Sequence, residues 1–246
     1  MMEWAQTMQE QAAETARDLE ALQTRIMAMG GLVEHAIAEA AQALAARDED
    51  HAARVIAADA RIDALEEEVN NDAAAFIARH RPAGADLHTA IAAMKMVGEL
   101  ERIGDYAKNL SKRVTVLSRG PVITGAGATT RRLARAVQAL LRDTLDGHAR
   151  GDVALLHDVL GRDVEVDRMT AGLLRQFLTH MMEDPRNISA CMHYLFIIRN
   201  LERMGDHATE ICEQLIHLHT GARPTARPKG PSTAHLGAPQ QGGGRI

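Results

Sequence analysis

Two short segments carry the chemistry that this sequence offers: Glu101-Arg-Ile-Gly-Asp105 and Glu202-Arg-Met-Gly-Asp206. Each sets two carboxylates four residues apart, a spacing that puts both on one face of a helix. Each pair begins one residue after a leucine of an apolar stripe, Leu100 or Leu201. That step turns the pair about 100° away from the stripe, onto the flank of whatever bundle the stripe closes. Asp59/Asp63 and Asp163/Asp167 repeat the four-residue spacing and also adjoin apolar positions. One pair on each of two neighbouring helices would supply four acidic groups to one site per bundle.

Like charges at this spacing destabilise a bare helix slightly, and a bound cation offsets that cost. Carboxylates without thiolate or imidazole suit magnesium, manganese, calcium or iron. The competing reading is a solvated, salt-bridged face, the common fate of an acidic pair beside arginine. Duplication with an internal glycine retained, Gly104 and Gly205, argues for a site. Glycine costs helix stability and has a use where something must approach the backbone closely. Arg102 and Arg203 would brace the carboxylates or pair with a partner's acidic groups. Glu210 extends the second motif where Asn109 stands in the first, so the second is expected to be the stronger acidic site.

Other chemistries find no support. The sequence holds no Glu-x-x-His, His-Glu-x-x-His, G-x-S-x-G, Walker or G-x-G-x-x-G pattern. A carboxylate-bridged metalloprotein of the di-iron type is therefore disfavoured. His35, His193, His207, His217 and His219 read as surface or packing residues, and Cys191 and Cys212 as buried structural thiols. Nothing resembles an active site, so no enzyme is expected.

The elements that must position these residues are helices. Only six residues are aromatic, while alanine, leucine and charged residues dominate, as in a helical bundle. Pro82, Pro121 and Pro185 mark junctions, 118–130 reads as a linker, and breaks are expected near 47–50 and 147–152. Six helices result, at about 4–46, 51–80, 86–118, 129–149, 152–182 and 187–219. Gly30-Gly31 in the first predicts a bend or a close packing contact. Apolar positions in the third and sixth recur at spacings of three and four, the seam of near-parallel packed helices.

The two halves repeat. A shift of 101 carries Leu100, Glu101, Arg102, Gly104, Asp105, Ala107 and Leu117 onto identical residues, and a shift of 104 carries Val55, Asp59 and Asp63 onto Val159, Asp163 and Asp167. This is a duplicated three-helix unit. The fold expected is all-α: two tandem, pseudo-symmetric three-helix bundles at 1–120 and 121–220. Gly221–Ile246, rich in glycine and proline, is expected to be a disordered tail.

A net charge of −5 without a basic, aromatic-laced patch argues against nucleic acid. No apolar run approaches the roughly 18–20 residues of a membrane span. With two cysteines and no apolar leader core, a cytoplasmic protein without direct membrane insertion is expected.

The duplicated Glu-Arg-Ile/Met-Gly-Asp, each copy following an Asp-x-x-x-Asp helix, resembles the signature of the PhoU family. Met29-Gly30-Gly31-Leu-Val-Glu34 and Met181-Met-Glu-Asp184 are similar to that family too, and the resemblance runs over about residues 15–220. It implies a pair of three-helix bundles and a regulatory role. That role is negative control of phosphate uptake and of the phosphate-starvation response, linking the ATPase subunit of the phosphate ABC transporter to the sensor histidine kinase PhoR. It implies metal on Glu101, Asp105, Glu202 and Asp206, faced by Asp59, Asp63, Asp163 and Asp167; magnesium, manganese, iron and zinc are the candidates. It also implies a homodimer. A helical adaptor for another phosphate transporter is the alternative.

Overall fold

The computed structural model describes residues 2–222 and 224, with side chains from residue 9 onward. The described residues form six long helices and no strand: α1 Met2–Ala46, α2 Glu49–His80, α3 Ala85–Leu117, α4 Ala126–Arg150, α5 Val153–Glu183 and α6 Ile188–Thr220. A single 3-10 turn, Pro185–Asn187, precedes α6. Residues 223 and 225–246, most of the expected tail, lie outside the described residues.

The expected breaks fall where local chemistry stops a helix. Asp48 and Asp152 cap α2 and α5, each accepting a hydrogen bond from the backbone N–H three residues on, at 2.8 and 3.0 Å. Arg47 holds the α1–α2 turn to the end of α3. Its guanidinium donates to the carbonyls of Leu117, of Gly120 at 2.6 Å and of Pro121 at 3.3 Å, at and just beyond the last residue of α3. The linker is shorter than its composition predicts, because α4 already starts at Ala126. Ile123 and Ala126 are buried there, so packing sets this boundary where two glycines suggested a longer loop.

Helices α1–α3 pack as one triple and α4–α6 as another. The triples meet through α1 on α4 and α3 on α6, leaving α2 and α5 outside. The buried apolar side chains of all six helices form one continuous core. At the α1–α4 crossing, a β-carbon on Gly30 would lie 2.6 Å from Leu145 Cδ1, so the predicted close contact is a helix-on-helix approach. Helix α6 runs antiparallel to α3: Glu99, Tyr106 and Arg113 meet His207, Arg203 and Phe196 in descending order. No described helix is long and apolar enough to cross a membrane.

Candidate functional site

In the first triple, α2 and α3 bring Asp59, Asp63, Glu66, Glu101 and Asp105 to one surface. The glycine inside the motif sets how close these helices come. A β-carbon on Gly104 would lie 3.1 Å from Ile62 Cδ1 and 3.6 Å from Asp59 Oδ1. The close approach foreseen at Gly104 is therefore made by the neighbouring helix. It drives Asp59 inward, leaving it 3% exposed, whereas Asp63 one turn on is exposed.

A buried carboxylate needs a partner, and Asp59 has one in Lys108. The Nζ of Lys108 lies 2.5 Å from Asp59 Oδ2 and 3.3 Å from Asp105 Oδ1. The hydrogen bond to Asp59 raises the ammonium's pKa further above its usual value, so it stays charged. The pair also lies at one wall of a cavity of about 260 Å³ lined by Leu32, Ala36, Val55 and Ile62. The remaining carboxylates repel one another. Burial, and then the charges of Asp105, Glu66 and Asp63, raise Glu101 to about 7. Burial and then Asp59 push Asp63 up as well.

The second triple repeats the step. A β-carbon on Gly205 would lie 3.5 Å from both Asp163 Oδ1 and Val166 Cγ1, and Asp163 is 8% exposed. Its other groups are arranged differently. Glu202 accepts a hydrogen bond from Arg199 at 2.6 Å. Thr209 stands where a shift of 101 places Lys108, and donates back to its own helix, to Asp206 O at 2.8 Å and Gly205 O at 3.1 Å. Asp206 and Glu210 are exposed and Asp167 is half-buried. Glu210 faces a groove of about 330 Å³ between the ends of α3 and α6, opposite His88 and Lys95.

Between the two surfaces lies the α3–α6 contact. His207 Nδ1 is 2.5 Å from Glu99 Oε2, and its ring stacks on Tyr106 with centroids 5.5 Å apart. Arg203 lies over the same tyrosine at 5.9 Å. The two motifs thus meet back to back, with His207 as a packing residue that joins the repeats. Arg102 is exposed, and its charge offsets a small part of the rise at Glu101. Cys191 and Cys212 are buried thiols, and the Sγ of Cys212 lies 3.0 Å from Thr144 Oγ1.

Among the described residues, no three carboxylate, imidazole or thiolate groups are gathered as a metal ion requires. In the first triple an ammonium already stands between Asp59 and Asp105, so the position between those two carboxylates, as arranged, does not fit a metal. Lys108, Glu66, Glu99 and Arg199 were not singled out from sequence. Lys108 could have been, because it follows Asp105 by three residues on the same helix face.

The sequence profile of the PhoU domain matches this chain twice, over residues 26–114 and 130–215. The phosphate-specific transport system accessory protein PhoU homolog of Caulobacter vibrioides is 41% identical over 214 residues, 86% of this chain and 93% of that protein. The homolog of the same name in Rhizobium meliloti is 38% identical over 229 residues, 90% of this chain and 94% of that one. Among solved structures, PhoU from Pseudomonas aeruginosa superposes with a TM-score of 0.81 at 36% identity, over 84% of this chain and 99% of that chain. The phosphate transport system regulatory protein PhoU from Streptococcus pneumoniae gives 0.79 at 25% identity, over 86% and 100%. The doubled profile falls on the two triples, and its two copies contain the two glycine–aspartate steps: this chain belongs to the PhoU family.

Proposed function

We propose that this protein is a negative regulator of phosphate uptake and of the phosphate-starvation response. It couples the ATPase subunit of a phosphate ABC transporter to a PhoR-type sensor histidine kinase through protein–protein contacts. The observation that carries this reading is the pair of acidic surfaces at corresponding positions of the two repeats, joined across α3 and α6. The names of the relatives, accessory and regulatory proteins of phosphate transport, support it. The family is regulatory rather than enzymatic.

In this reading the protein works in the cytoplasm and reaches the membrane only through its partners. One surface engages the transporter and the other the kinase, and Arg102, Arg203 and Glu210 lie at their edges. The shared core makes the two surfaces parts of one body. A transporter conformation set by phosphate then shifts the kinase's output, provided that this protein binds the two conformations with different affinity.

Self-association belongs to the same reading. Leu178, Met182, Ile188, Met192 and Phe196 are exposed towards the α5–α6 end, Met182 at 85%, and exposed apolar side chains in this region support a contact between copies there. Light scattering should give a dimer that Met182→Glu with Phe196→Glu converts to a monomer; a dimer unchanged by both substitutions would move the interface elsewhere.

The coupling is tested with a phosphate-repressed alkaline-phosphatase reporter in cells lacking the gene and grown in excess phosphate. The reporter should switch on and be silenced again by the intact gene. Alanine at Glu101, Asp105, Glu202 and Asp206 together should leave it on. Silencing by that variant as strong as by the parent would show that the acidic surfaces are not the working ones. A reporter that stays off in the deletion would leave an adaptor for another phosphate transporter as the reading.

A further inference from the structure

The family resemblance of the sequence implies a cation on the first acidic surface, and the folded chain brings one of its own. Lys108 reaches from α3 to α2, with its Nζ 2.5 Å from Asp59 Oδ2 and 3.3 Å from Asp105 Oδ1. An ammonium is a compact point charge with three donors, able to bridge two carboxylates as a small cation would. It is held there by burial. Asp59 is 3% exposed, and the lysine side chain is three-quarters covered. Gly104 keeps the helices close enough for the bridge to span them.

A divalent ion entering between Asp59 and Asp105 would meet this ammonium at contact distance. It would have to expel the lysine, breaking a buried ion pair. The duplication supplies an internal comparison. The equivalent of Lys108 is Thr209, whose hydroxyl is turned to the backbone of its own helix. From that position the second repeat receives no positive charge. The lysine is therefore a property of the first repeat, not of the duplicated motif.

We infer that Lys108 is the resident cation of the first acidic surface, occupying the position between Asp59 and Asp105 and excluding divalent metal from it. The charge at this position thereby does not vary with metal supply. If the docking reading of the acidic surfaces holds, a partner meets the first repeat the same way whether metal is scarce or plentiful. The inference about the lysine stands or falls on binding measured in vitro, independently of the reporter assay in cells.

The test uses the full chain, stripped of metal with a chelator and titrated with manganese(II) alone, free ion being read by electron paramagnetic resonance. Asp105→Asn should leave the number of bound manganese ions the same as in the parent; a loss of one ion would overturn the inference. Lys108→Thr, which copies the second repeat, should gain one ion bound at least tenfold more tightly than any at this surface in the parent. Lys108→Arg, which keeps the charge, should not. A correctly folded Lys108→Thr protein that gains no ion would show that something other than the lysine excludes metal. Circular dichroism establishes folding, and if the threonine variant fails to fold, the Asp105→Asn comparison decides alone.

Discussion

A β-carbon on Gly104 would meet Asp59 Oδ1 at 3.6 Å in the first repeat, and one on Gly205 would meet Asp163 Oδ1 at 3.5 Å in the second. Around this shared step the repeats part company. The first places Lys108 against its buried aspartate, while the second places Thr209, bonded to its own backbone. The first leaves Glu101 among like charges; the second gives Glu202 the guanidinium of Arg199. The outer ends differ too. Leu178, Met182, Ile188, Met192 and Phe196 correspond, by shifts of 104 and 101, to Ala74, Ala78, Leu87, Ile91 and Lys95. Core positions are held by packing, where a change of one methylene is felt. Surface positions are free to diverge, and divergence there lets one duplicated frame present two different faces.

The comparison can be broken most severely at Lys108. Replacing it with methionine leaves Asp59 buried without its cation, and should cost about 2–3 kcal/mol in urea unfolding. Thr209→Ala removes a side-chain bond to the helix's own backbone and one buried methyl, and should cost about 1–2 kcal/mol. Equal losses would mean that the lysine is no more structural than the threonine.

A smaller effect separates Glu101 from Glu202 through pH. The folded state raises the pKa of Glu101 from 4.5 to about 7. Between those values the folded protein holds the proton more tightly than the unfolded chain, so stability falls as pH rises through this window. Glu101 is half-exposed, which reduces the effect to roughly 1 kcal/mol. Glu101→Gln should therefore raise the Tm at pH 8 and leave it unchanged near pH 4, where the carboxyl is already neutral. Glu202→Gln, which weakens the Arg199 contact, should give no gain at pH 8. A gain of the same size in both variants would remove the electrostatic distinction between the repeats.

The smallest expected difference lies at the glycines. Alanine at Gly205 makes only ordinary contacts, at 3.5 Å, and should stabilise by about 0.5–1 kcal/mol through helix propensity. Alanine at Gly104 presses on Ile62 at 3.1 and 3.2 Å, so the same propensity gain should be largely cancelled. A larger gain at Gly104 than at Gly205 would mean that the first pair of helices is the looser one.

What the sequence determined by itself was whatever repeats with a period. Spacings of three and four fixed the helices, prolines three of the junctions between them, and shifts of 101 and 104 the duplication and with it the family. These signals lie along one helix or recur between copies, so no neighbour is needed to read them. The tertiary structure decided what depends on two helices meeting. It buried Asp59 and Asp163 beside the motif glycines, joined Lys108 to a residue 49 positions away, and stacked His207 on Tyr106 across the two repeats. It also merged the cores of the two triples into one. The physical reason is that periodicity shows which way a side chain faces on its own helix. Its partner, its burial and its charge state are set by how closely the next helix comes, and in the first repeat Gly104, where a β-carbon would press on Ile62, governs that distance.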